Sequence, residues 1–187
     1  MADENEYVME QIKYLVWGGF SDFNEIKFHI TDIVENEGIE DTQPYIAAIK
    51  NEILKKKKEQ DSWPKNTDVD KLNEVFKRLK NEGVLCLHNA GYTMSDGHYD
   101  ANEAIQNYPK GTFQGYCFYH GQDLERILQG GSLMLAYDHI NGDVPEKIDI
   151  GNKLKSELEK SGFKVIWNGT TEQRIEVSNI KWQNRGI

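Results

Sequence analysis

The spacing of apolar residues changes character partway along the chain, and this change restricts the fold more than any other feature. Up to residue 64 the apolar positions recur every three or four residues, the period of an amphipathic helix. Tyr7, Val8, Ile12, Leu15 and Val16 form one stripe, closed by Gly18-Gly19. Phe23, Ile26, Ile30, Ile33 and Val34 form a second, with Ser21 as the expected cap and Gly38 as the stop. A third helix opens at Asp41 or Thr42, tolerates Pro44 in its first turn and buries Tyr45, Ile46, Ile49, Ile53 and Leu54. Trp63-Pro64 ends it, because the residue before a proline is pushed out of the α region.

Beyond Thr67 the rhythm differs. One more helix, with Leu72, Val75, Phe76 and Leu79 on one face, runs to Gly83. Short β-branched and aromatic runs follow, predicting strands at 84–88, 113–119, 133–137, 163–167 and 175–180. Helices are expected between them: a short one begun by Asp100 and Glu103, one over 123–129, and one over 145–160. The pattern predicts an α/β (α+β) protein with a mixed five-stranded sheet, preceded by a three-helix N-terminal arm. The expected boundaries are 1–66 for the arm and 67–187 for the α/β core, packed as one structural unit. If the second and third strands share a sheet, the intervening helix makes them parallel with a right-handed crossover. The last two strands form an antiparallel hairpin around Asn168-Gly169.

Charge and cysteine usage narrow the function classes. A formal net charge of -9 repels a phosphate backbone at long range, so nucleic acid is not an expected partner. The run Lys55-Lys56-Lys57-Lys58 is read as a solvated helix end whose cations offset the helix dipole. No apolar stretch is long enough to span a bilayer, and the first residues, Met1-Ala-Asp-Glu-Asn-Glu, lack the basic start of a signal peptide. The expected location is cytoplasmic, with no membrane partner. Cys86 and Cys117 both sit in apolar runs and are expected to be reduced and buried.

Two segments place ionisable residues directly after predicted strands, where α/β folds bind ligands. The first supplies His88, Asn89, Tyr92, Ser95 and Asp96. The second supplies Tyr119, His120, Asp123 and Arg126. Asp123 either caps its helix or orients the His120 imidazole. His88 and His120 reach one rim only if the first two strands are parallel. Ser95 lacks the Gly-x-Ser-x-Gly context of a nucleophile elbow. The stretch Asp96-Gly-His98-Tyr-Asp100 lacks the spacing of a calcium loop, so no metal and no cofactor are expected. Cys117 reads as an inert thiol, and no glycine-rich phosphate loop is present.

Trp17-x-Gly-Phe20, Asn89-Ala-Gly-Tyr-Thr-x-Ser-Asp-Gly97, Gly115-Tyr-Cys-Phe-Tyr-His-Gly-Gln-Asp-Leu-Glu-Arg126, Gly131-Ser-Leu-Met-Leu-Ala-Tyr137 and Trp182-Gln-x-Arg185 together resemble an uncharacterised bacterial domain of unknown function. The resemblance covers nearly the whole chain and implies no activity. Relatives that carry cysteines after the first strand resemble zinc-type proteins. This chain has none there, so no thiolate metal site carries over. The leading expectation is a non-catalytic binding or regulatory protein that meets a protein or small-molecule ligand through a polar His/Asp/Arg site. The alternatives are a hydrolase-like small-molecule enzyme using His120 as acid or base, and an immunity-type inhibitor.

Overall fold

The computed structural model describes residues 2–186 and divides the chain into two compact units, 2–67 with 182–186, and 68–181. The closing residues from Trp182, assigned by the sequence pattern to the α/β core, therefore belong with the helices.

The first unit contains α1 (Ala2–Gly18), α2 (Phe23–Asn36) and α3 (Gln43–Gln60). Their i, i+4 stripes meet in one core of Val8, Ile12, Val16, Ile26, Ile30, Val34, Tyr45, Ile49 and Ile53. The cap of α2 is Asp22 rather than Ser21. Its carboxylate accepts from the Asn24 and Glu25 amides at 2.8 and 2.9 Å, and Glu25 accepts from the Asp22 amide at 2.7 Å. The lysine run is not the solvated face expected of it. Lys56 is buried, and its ammonium donates to Val16 O at 2.8 Å and Gly186 O at 2.7 Å. Burial lowers its pKa to about 8. Asn184 packs where Gly19, at φ +76°, has no side chain, and it donates to Gly18 O at 2.9 Å.

The second unit holds α4 (Asp68–Asn81), β1 (Val84–Leu87), α5 (Met94–Gln106), β2 (Gly115–Phe118), α6 (Gly121–Leu128), β3 (Leu133–His139), α7 (Val144–Lys160), β4 (Lys164–Ile166) and β5 (Ile175–Ser178). The sheet is mixed, in the order β1-β2-β3-β5-β4. Only β1 and β2 are parallel, with Cys86 opposite Cys117 and Leu87 opposite Phe118. The apolar stripe of α4 (Val69, Leu72, Val75, Phe76 and Leu79) is buried throughout. Helices α4 and α7 cover the face bearing Cys86, Cys117 and Tyr137, and α5 covers the face bearing Leu85, Tyr116 and Phe118.

Three expectations change here. Strands β2 and β3 are antiparallel, not parallel, with Gly115 opposite His139 and Phe118 opposite Ala136. The eight-residue α6 is only about 12 Å long at 1.5 Å per residue. It does not carry the chain back to the start of β2. Gly130, at φ +88°, turns the chain so that β3 begins at the end where β2 stopped. Helix α5 starts at Met94, six residues before Asp100, because Thr93 and Asp96 form a capping box. His88, Phe113 and Tyr119 fall outside the ladders, whereas β3 extends two residues further than its apolar run. Both thiols are free. Cys117 is buried and Cys86 half-buried, with their sulfurs 3.0 Å apart across the parallel pair.

Candidate functional site

Because β1 and β2 are parallel, both polar segments leave the sheet at the same end. The backbone ties them together. Ala90 N–H donates to Tyr119 O at 2.9 Å, Gly121 N–H to Gly91 O at 2.9 Å, and Gln122 N–H to Tyr92 O at 3.2 Å. Asn89, at φ +48°, and Gly91, at φ +57°, give the loop the curvature these bonds require. At Gly91 any Cβ would overlap Asp96.

The pleat then separates the residues that the shared rim brought together. Alternation places His88 and Tyr119 on the α4 face, and His120 on the other. The His88 ring stacks on Phe76 at a centroid distance of 4.4 Å, and its Nδ1 lies 3.0 Å from the Tyr119 hydroxyl. Burial pushes the His88 pKa down to about 4 and the Tyr119 hydroxyl well up. The two histidines share an end of the sheet but serve different faces.

The electrostatic centre is Asp123, fully buried in the first turn of α6. Its carboxylate accepts from Arg126 Nη1 at 2.6 Å and from Arg174 Nη1 at 3.0 and 2.9 Å. It also accepts the His120 amide at 3.3 Å, and its Oδ2 lies 3.2 Å from His120 Nε2. Asp123 therefore both caps the helix and holds the imidazole, the two roles posed as alternatives by the sequence. His120 is 3% exposed. Desolvation lowers its pKa and the two guanidiniums act in the same direction, against Asp123 and Asp96. It is neutral at pH 7, so its contact with Asp123 is a hydrogen bond rather than an ion pair. A carboxylate only accepts, which places the proton on Nε2 and leaves Nδ1 as an acceptor.

Around this centre, Tyr92 lies exposed over Gly121, and its hydroxyl donates to the Glu125 carboxylate at 3.2 Å. Asp96 is occupied by the α5 cap, accepting from Thr93 N and Oγ1 at 2.9 Å, and these bonds lower its pKa. Ser95 is exposed in the first turn of α5. Among the described residues, no group of three or more His, Cys, Asp and Glu side chains is arranged to hold a metal ion. A surface cavity of about 630 Å³, lined by Gln114, His139, Glu146, Asp149 and Lys153 among others, lies toward the opposite end of β2.

Sequence reasoning missed Arg174. It sits 51 positions from its carboxylate, at the end of the β4–β5 loop, just before Ile175. Asn168 Oδ1 accepts from Thr170 N at 3.0 Å, and Trp167 Nε1 donates to Thr170 O and Gln173 O, so the loop is folded on itself. The only signal was a cation immediately before a strand, which is common on any sheet edge.

A family model described as a domain of unknown function matches residues 1–186. No curated protein and no solved structure matches the chain.

Proposed function

The chain belongs to the Domain of unknown function (DUF6891) family, and we propose that it is a non-catalytic binding or regulatory protein. Its recognition surface is the cluster of His120, Asp123, Arg126 and Arg174 at the shared end of β1 and β2. The observation that carries this reading is a fully buried carboxylate bonded to two guanidiniums at once. One negative charge against two positive leaves the cluster net cationic, and Arg126, with 45% of its side chain exposed, turns part of that charge to solvent. Asp123 is committed to the arginines, which favours a fixed cationic platform over a carboxylate that moves protons. In an acidic chain such a platform is a local attractor for an anionic group on a ligand or partner.

A second reading, an enzyme with His120 as general base, has one observation in its favour. Nε2 is oriented by Asp123 while Nδ1 is buried and meets the hydrogen-bond criterion with no partner among the described residues. Nuclear magnetic resonance distinguishes the two. Titration with small carboxylates is expected to give saturable amide shifts confined to residues 89–92, 120–126 and 174, with the added compound unchanged after days. Loss of these shifts in Arg126→Gln supports the platform. Shifts that persist in Arg126→Gln and Arg174→Gln alike reject it. Slow conversion of the compound, abolished by His120→Gln, replaces it with the enzyme reading.

A further inference from the structure

Cys86 and Cys117 are the only two cysteines of the chain, 31 positions apart, and the fold sets them side by side. Strands β1 and β2 run parallel, with Cys86 opposite Cys117 in the ladder. Ladder partners point their side chains to the same face, here the one covered by α4 and α7. Both thiols are free, their sulfurs lie 3.0 Å apart, and the Cys117 thiol donates to Cys86 Sγ. The two geometric conditions for bridging a pair of cysteines are therefore met. Neighbouring strands are spaced about 4.8 Å apart, inside the range of roughly 4.4–6.8 Å between the Cα atoms of a disulfide, and the side chains point the same way. The sulfurs need to close by only about 1 Å to reach bonding distance.

The two thiols differ in access. Strand β1 is an edge of the sheet, and Cys86 is half-buried there. Strand β2 lies between β1 and β3, and Cys117 is buried. A small oxidant therefore meets Cys86 first, with Cys117 in contact behind it. Burial raises the Cys86 thiol well above its ordinary range, which keeps thiolate scarce and the pair slow to react. That suits a site modified under sustained oxidant rather than a catalytic couple that turns over rapidly.

We propose that Cys86 and Cys117 are a modification site: a hydroperoxide oxidises them to an intramolecular disulfide that fastens β1 to β2. Cys86 Sγ takes the terminal oxygen of the hydroperoxide as the O–O bond breaks, giving a sulfenic acid and releasing water or an alcohol. Cys117 Sγ then attacks Cys86 Sγ. The S–S bond forms, the S–O bond breaks, and the leaving hydroxide takes the Cys117 proton as water. In total, two thiols give up two electrons and two protons to one hydroperoxide, and a dithiol reductant reverses the change. The closed loop runs from 86 to 117 and contains all of α5, so the bridge restricts the unfolded chain and stabilises the fold without moving a strand.

The test treats the reduced full chain with excess hydrogen peroxide, alkylates the remaining thiols under denaturing conditions and maps the peptides by mass spectrometry. We expect loss of two hydrogens, no alkylation, and a cross-linked peptide pair joining Cys86 to Cys117, all undone by dithiothreitol. The oxidised chain is expected to melt about 5 °C or more above the reduced one. Single variants separate the roles. In Cys117→Ser, Cys86 is expected to stop at the sulfenic acid and react with dimedone. In Cys86→Ser, Cys117 is expected to remain a thiol. The reverse pattern overturns the order of attack. Disulfides between chains, oxygen added without a cross-link, or two thiols still fully alkylated each overturn the proposal. A cross-link that lowers the melting temperature overturns the claim that the native register already suits a bridge. The wild-type map decides the matter even if neither variant folds.

Discussion

At the scale of single residues, the two histidines that follow β1 and β2 show how one step of pleat separates roles. His120 is tied to the Asp123 carboxylate, which also holds two guanidiniums, whereas His88 is packed between Phe76 and Tyr119 with burial as the dominant influence on its titration. The His88 pKa falls from 6.5 to about 4 on folding, so the folded state binds this proton less readily than the unfolded chain does. The contribution of neutral His88 is fully present above pH 6.5 and is lost as pH falls through the window from 6.5 to 4. Its size follows from the width of that window, on the order of 3 kcal/mol at most. His88→Gln keeps an amide for the Tyr119 hydroxyl but does not titrate. Urea denaturation from pH 7 to pH 4 is therefore expected to narrow the stability gap between wild type and this variant by up to that amount. A gap that does not change with pH would mean that solvent reaches the ring.

At the scale of elements, α5 shows what positions the site. Its first turn is set by Thr93 and Asp96, and its seat on the sheet is set by Gly97, where any Cβ would overlap the Phe118 ring. Gly97→Ala removes a helix-weakening glycine, worth up to about 1 kcal/mol in a free helix. Here it forces apart a helix and a strand in contact, at a cost of about 1–3 kcal/mol. We expect net destabilisation, read as a lower urea midpoint at unchanged slope. The position of α5 also marks what the sequence makes legible. Apolar period alone identifies β1, β2 and β5, the stripe of α4, and the helix-only run before residue 64. It misplaces the start of α5 because a polar helix has a capping box but little stripe. It also misses the antiparallel return into β3, since the direction of a short connection depends on tertiary packing rather than on local pattern. The same holds for the cluster. Asp123, Arg126 and His120 are local in sequence and visible as a group, while Arg174 reaches them only through the folded β4–β5 loop.

At the scale of the whole molecule, the division into two units assigns the closing residues to the helices. Trp182 Nε1 and Asn184 Nδ2 donate to Gly18 O, Arg185 Nη2 donates to Pro64 O at 2.5 Å, and Lys56 reaches Gly186 O. The Trp182 and Asn184 bonds satisfy the Gly18 carbonyl at the end of α1, which no further turn of helix reaches. The sheet unit has its own apolar core, from Leu72 and Leu79 on α4 to Val177 on β5, and its own polar cluster. The two units therefore differ in what they need from the rest of the chain. A fragment of residues 68–181 contains its core, its sheet and all four residues of the platform. It is expected to unfold cooperatively in urea and to retain amide shifts for residues 120–126 close to those of the full chain. A fragment of residues 1–67 lacks the segment that Lys56, Gly18 and Pro64 bind, and burying a lysine without its acceptors is costly. It is expected to show weaker helical circular dichroism and a broader thermal transition, with partial recovery on addition of a peptide spanning 182–187. A 1–67 fragment as cooperative as the full chain, indifferent to that peptide, would show that the closing segment decorates the helices without stabilising them.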